Sequence, residues 1–171
     1  SRSIHLGSLD FDDAIKEYIR QQYAIVTEDT TLEEMKIHNG SAVLPLEDRG
    51  YYFTGRGIDD GLQQEVGVKS SEIYRVIGKP LVKILDLAQD VLRETPPELS
   101  ADIMEHGIVL TGGGSMLHGM DQLFSQELGV PVVVAAEPEL AVARGTGKAL
   151  HDREKLGALI EGAERIYRRR F

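Results

Sequence analysis

Apolar residues fall at Phe11, Ala14, Ile15, Tyr18 and Ile19, a helical spacing that puts all five on one narrow face and predicts an amphipathic helix from about Phe11 to Ala24. Asp10 stands just ahead of it and is the expected cap, because its carboxylate can accept from the free amides of a first turn. In DTTLEEMK, Thr30 and Glu33 have capping-box spacing, which predicts a short second helix through Lys36. From Ser41 to Val68 the period drops to two. Turn-forming EDRG and DDG divide that stretch into AVLPL, YYFTGRG and LQQEVGV, the pattern of a three-stranded antiparallel meander. Pro45 places its strand at an edge, since proline has no amide to give a ladder.

A stripe running from Ile73 through Ile77, Leu81 and Leu85 to Leu92 predicts a long helix, and Pro80 within it predicts either a kink near Lys79 or two helices end to end. Pro96 and Pro97 stop it, and ELSADIMEH follows as a short helix. Beyond this point the continuous apolar runs IVL and PVVVA alternate with helical patterns in SMLHGMDQLFSQEL, PELAVARGTGKALHD and KLGALIEGAERIYRRR. Such alternation predicts an α/β arrangement with a parallel sheet covered on its faces. The chain therefore divides into an α+β zone and a C-terminal α/β zone that meet near Pro80.

With 171 residues and 42% hydrophobic composition, the chain can bury one full core or two small ones. It has no cysteine, which excludes disulfides and thiolate metal sites and suits a reducing compartment, with the cytoplasm as the expected location. No run reaches the roughly 18 apolar residues of a membrane helix, and SRSIHLGSLD lacks the apolar segment of a signal peptide. A net charge of −9 repels phosphate backbones, so no nucleic-acid partner is expected. The local exception is the tail with Arg165, Arg168, Arg169 and Arg170, which reads as the solvated end of a helix or, less favoured, as a contact for an anionic partner or membrane surface. His5, His38, His106, His118 and His151 show no metal-ligand spacing, so no metal site is expected.

The densest signal is LTGGGSML. Gly112, Gly113 and Gly114 leave a strand and enter a helix, where they permit positive φ angles and let a flat ligand approach bare backbone. A tight strand-to-helix turn alone needs one or two glycines. The phosphate loop of the Walker type is excluded, because Gly147-Lys148 is followed by Ala149 and Val142 occupies the required upstream glycine position. The dinucleotide fingerprint is excluded as well, since Leu117 stands where its third glycine belongs.

The stretch LTGGGSMLHGMDQLFSQELGVPVVVAAEPELAVARGTGKAL resembles the C-terminal part of the bacterial actin-like proteins of the MreB and Mbl type. The likeness extends to GSLDFDDAIKEYIRQQY, LEEMKI and TPPELSADIMEHGIVLTGGGS, so it covers nearly the whole chain. It implies the C-terminal half of an actin-like ATPase (ribonuclease H-like) fold, with an outer α+β subdomain over residues 10–80 holding the meander. Residues 1–9 and 81–171 would form the inner α/β subdomain, where Gly145 would allow close packing of crossing helices.

The resemblance further implies that Gly112, Gly113 and Gly114, with Ser115 and Met116, lie under the adenosine of ATP or ADP. Glu33 and Lys36, three apart and so neighbours on one helix face, would approach it from the other side. Without the resemblance, Glu33 reads as a capping residue and Lys36 as a solvated helix end. Mg²⁺ and the phosphates would be held by two acidic, glycine-containing hairpins that this chain lacks, for there is no DxGxxT-like hairpin in it, and Asp59 and Asp60 read as turn residues. The start at SRSIHL fits a boundary in mid-domain. The family hydrolyses ATP, but this chain alone is expected to be inactive. Its implied role is self-association into protofilaments beneath the cytoplasmic membrane, with cell-wall synthesis and membrane shape proteins as partners. The alternatives are a nucleotide-independent protein-interaction module or filament regulator, and, less favoured, a remnant of a sugar or acetate kinase.

Overall fold

The computed structural model describes residues 1–151. Helix α1 spans Ser8–Tyr23, strand β1 Ile25–Val26, α2 Asp29–Asn39, β2 Gly50–Gly57, β3 Gln63–Lys69 and α3 Ser70–Arg93. Then follow α4 Pro97–His106, β4 Ile108–Leu110, a 3₁₀ turn Gly113–Met116, α5 Met120–Leu128, β5 Val132–Val134, a second 3₁₀ turn Pro138–Leu140 and α6 Ala141–His151. The helix expected in KLGALIEGAERIYRRR and the arginine tail lie outside the described residues.

Asp10 is not the cap of α1. The helix starts three residues earlier than its apolar face requires, with Gly7 as N-cap, and Asp10 sits inside the first turn, where its carboxylate accepts from the Gly7 amide at 2.6 Å. That is the carboxylate half of a capping box. Likewise, α2 begins at Asp29 after Glu28 with no side-chain cap, so Thr30 and Glu33 do not form the expected box and Glu33 is left exposed.

The antiparallel sheet has order β1-β2-β3, with Ile25 opposite Gly57 and Gly50 opposite Lys69 marking its ends. Two of its strands are the expected ones, but the third is Ile25–Val26 rather than AVLPL. Residues 42–46 form a loop, because Ala42 donates its amide to the His118 carbonyl at 2.7 Å and Ser41 bridges to His118. The chain there is tied to the loop before α5 instead of to β2.

Helix α3 is one element, with Pro80 inside it and buried. Ile73, Ile77, Leu81 and Leu85 on its inner face join Phe11, Ile15 and Ile19 of α1 in one continuous core. At the outer end Glu72 locks these two helices together. Its carboxylate accepts the hydroxyls of Tyr18 at 2.5 Å and Tyr23 at 3.0 Å, and the Lys69 amide at 2.7 Å. Burial works against the Glu72 charge, but those hydrogen bonds and Arg75 outweigh it and hold the carboxyl below its usual range. Burial, followed by the bond to Glu72, pushes both tyrosine hydroxyls up. A depressed folded-state value means that the contribution is complete above the unfolded value of 4.5 and is lost as pH falls through the lower folded value. In melts between about pH 6 and pH 3, Glu72→Gln should flatten the acid limb of the Tm profile and lower the neutral-pH stability by about 1 kcal/mol.

Strands β4 and β5 pair in parallel, with Ile108 opposite Val132 and Leu110 opposite Val134. The expected coverage on both faces is not present among the described residues: Val132 is buried toward α5, whereas Val109 and Val133 on the other face are 59% and 55% exposed. Helix α6 likewise has no buried residue, and nothing packs within 4 Å of where a Gly145 side chain would begin. The apolar face expected to be covered there has no partner among the described residues.

Candidate functional site

The triple glycine does not lead straight into a helix. Gly112 takes φ +86 and ψ 158, a region essentially restricted to glycine, and the chain then makes the single 3₁₀ turn Gly113–Met116. Gly119, also left-handed, reverses direction before α5 starts at Met120. The expected helix from Ser115 is therefore split, because a strand-to-helix connection made of a 3₁₀ turn can present its backbone sideways. Three bonds brace the loop: the Ser115 hydroxyl and amide both reach the Gly112 carbonyl, at 2.7 and 3.1 Å, and the Gly112 amide reaches the Pro138 carbonyl at 2.8 Å.

A cleft of about 410 Å³ opens above this loop, within the size range of small-molecule sites. Gly113, Gly114 and Met116 form one wall, and Glu33, Lys36 and Ile37 of α2 form the other. A side chain begun at Gly113 would meet no atom within 4 Å, so the backbone there faces open space rather than a packed interior. Five of the seven residues singled out from the sequence thus line one cleft. The other two, Gly112 and Ser115, line an adjoining recess on the far side of Phe11, and Ser115, which is buried, spends its hydroxyl on the loop itself. A comparable cleft beside His38, Arg49 and His118 involves none of the seven.

Lys36 is not a solvated helix end. It stands in the last turn of α2 but is only 8% exposed, and its ammonium donates to Asp12 Oδ2 at 2.7 Å and Ser8 Oγ at 2.8 Å. Five further lining residues, Ser8, Phe11, Ile37, Leu117 and Glu139, are absent from the sequence-based expectation. Phe11 was recognisable as core, but Glu139 carried no signal; the Gly112–Pro138 bond ties its 3₁₀ turn to the glycine loop.

The MreB/Mbl protein family profile matches residues 1–158, nearly the whole chain. The chain belongs to the MreB/Mbl family. The Escherichia coli (strain K12) cell shape-determining protein MreB is 41% identical over 150 residues, 88% of this chain and 43% of that protein. Cell shape-determining protein Mbl of Bacillus subtilis (strain 168) is 38% identical over 156 residues, 91% of this chain and 47% of its own length. Among solved structures, ADP-bound MreB5 of Spiroplasma citri superposes with a TM-score of 0.84 at 35% identity, over 94% of this chain and 48% of that one. The fold is thus that of the actin-like MreB proteins, and the chain spans about half the length of the MreB and Mbl relatives it matches. All the residues lining the cleft fall within the matched residues 1–158.

Proposed function

We infer that this chain is the C-terminal half of a filament-forming, ATP-binding cell-shape protein, and that its cleft takes the adenosine end of the nucleotide. The observation that carries this reading is the open space over the Gly113 backbone, faced across the cleft by Glu33 and Lys36. A planar purine can lie against bare peptide there, with Met116 and Ile37 as apolar flanks and carboxylates of Glu33 and Glu139 as acceptors. Support comes from the relative MreB5, which has been crystallised with ADP.

On this reading residues 10–80 would form the outer subdomain, and 1–9 with 81–171 the inner one. Among the described residues no three His, Cys, Asp or Glu side chains converge as a metal site. On the family resemblance, Mg²⁺ and the phosphates would be held by the other half of the protein, and this half would not hydrolyse ATP alone. The open faces around Val109, Val133 and α6 are where that other half would seat. In the whole protein, nucleotide would favour protofilaments organising cell-wall synthesis at the cytoplasmic face of the membrane. No helix among the described residues is long and apolar enough to cross that membrane.

Titration of ADP and ATP into this chain, followed by calorimetry and by the amide resonances of residues 112–116, tests the reading. Binding should be weak, centred on Gly113 and Gly114, and weakened at least about tenfold in Gly113→Val, whose side chain enters the cleft without touching the core. No heat and no shift in either protein would favour a nucleotide-independent interaction module. Mixing with the N-terminal half and ATP should restore pelleting on sedimentation.

A further inference from the structure

The seven residues expected from the sequence include one cation, and the structure shows that its charge is already committed. Lys36 is held at 2.7 Å by Asp12 and at 2.8 Å by Ser8, and the side chains of the ion pair are only 10% and 14% exposed. An ammonium carries three N–H donors. Two are taken by α1, which leaves one for the cleft that Lys36 lines.

We propose that Asp12 is a positioning residue of the cleft: through Lys36 it fixes the α2 wall to the start of α1 and aims the remaining ammonium hydrogen at the nucleotide. This rests on the adenosine-nucleotide reading above. Ser8 completes the span. It accepts from Lys36 with its hydroxyl, while its Cβ lies 3.8 Å from where a Gly114 side chain would begin, so the bridge reaches from one wall to the glycine loop. The second Asp12 oxygen, Oδ1, is buried without a hydrogen-bond partner, so the bonding of this carboxylate is directed wholly at Lys36. A buried carboxylate with a spare lone pair is costly. Its retention beside a cleft is explained if the pair sets the separation of the two walls and the direction of one donor.

The test is a double-mutant cycle on ADP affinity in this chain, using Asp12→Asn, Lys36→Met and the double variant, with a melt of each to confirm folding. The expected result is a loss of about 10- to 100-fold in each single variant and no further loss in the double, since both act through one donor. A merely structural role would lower the Tm yet leave ADP affinity unchanged or the two losses multiplicative, and either outcome overturns the proposal while the cleft reading stands. Amide exchange without ligand supplies the independent measurement. Asp12→Asn should speed exchange at Gly112 and Ser115, whose amides bond the Pro138 and Gly112 carbonyls, at least about tenfold relative to Ile77 in α3, whose exchange reports global opening. If the parent chain shows no ADP response, the cleft reading falls, and unchanged exchange in Asp12→Asn would then sink the wall-to-wall bridge separately.

Discussion

Phe11→Ala lowers the unfolding free energy of this chain by about 3–5 kcal/mol, enough to move the midpoint of thermal unfolding by roughly 10 °C. Phe11 is 1% exposed and belongs to the continuous core that joins α1 to α3. Its truncation removes the largest side chain from the first turns of α1 and leaves a void that the rigid helices around it fill only in part. Phe11 also lines both the cleft and the adjoining recess behind the glycine loop. Loss of the ring therefore merges the two spaces, and ADP response should fall along with stability. Phe11→Leu, which keeps most of the volume, should cost about 1 kcal/mol and leave the cleft divided. Urea unfolding with a common m-value across the three proteins makes the comparison, and equal midpoints for Phe11 and Ala at this position would show the core assignment to be wrong.

Gly107→Ala should cost about 4 kcal/mol for a different reason. Gly107 ends α4 and begins β4 with φ +79 and ψ −166, a region essentially closed to other residues. A Cβ added there would stand 2.4 Å from the Pro131 carbonyl oxygen, which is backbone and cannot swing aside. That same oxygen accepts from the Ile108 amide at 2.8 Å, the first link between β4 and β5. Relief of the clash therefore pulls apart the start of the parallel pair, and with it the strand that delivers Gly112–Gly114 to the cleft. Gly129→Ala separates the two contributions. Gly129 is also left-handed at φ +68, but a Cβ there meets no atom within 4 Å, so its cost should be only the roughly 1–2 kcal/mol of the backbone conformation. Equal costs at the two positions in urea unfolding would remove the clash from the account.

Local pattern alone specified the helices whose apolar stripe is long, α1, α3 and α5, and the hairpin β2–β3, because in each the side-chain period matches one buried face. It also singled out the glycine run whose backbone faces the cleft and, through family resemblance, the two residues of α2 on the opposite wall. What it placed wrongly were features set by partners distant in sequence. The loop of residues 42–46 has the alternation of a strand, but His118 takes its backbone bond, and Ile25–Val26, too short to carry a period, completes the sheet instead. Thr30 and Glu33 have the right spacing for a cap, but the helix starts two residues sooner, at Asp29, and Glu33 lines the cleft instead. The committed charge of Lys36 was invisible for the same reason: Asp12 and Ser8 lie 24 and 28 residues away, and only the packing of α1 against α2 brings them together. The sequence by itself determined which surfaces are apolar and where the backbone is bare. The tertiary structure decided which polar groups are spent on one another and which are left for a ligand, because hydrogen bonds are satisfied by whatever lies within 3 Å, and sequence spacing does not measure that distance.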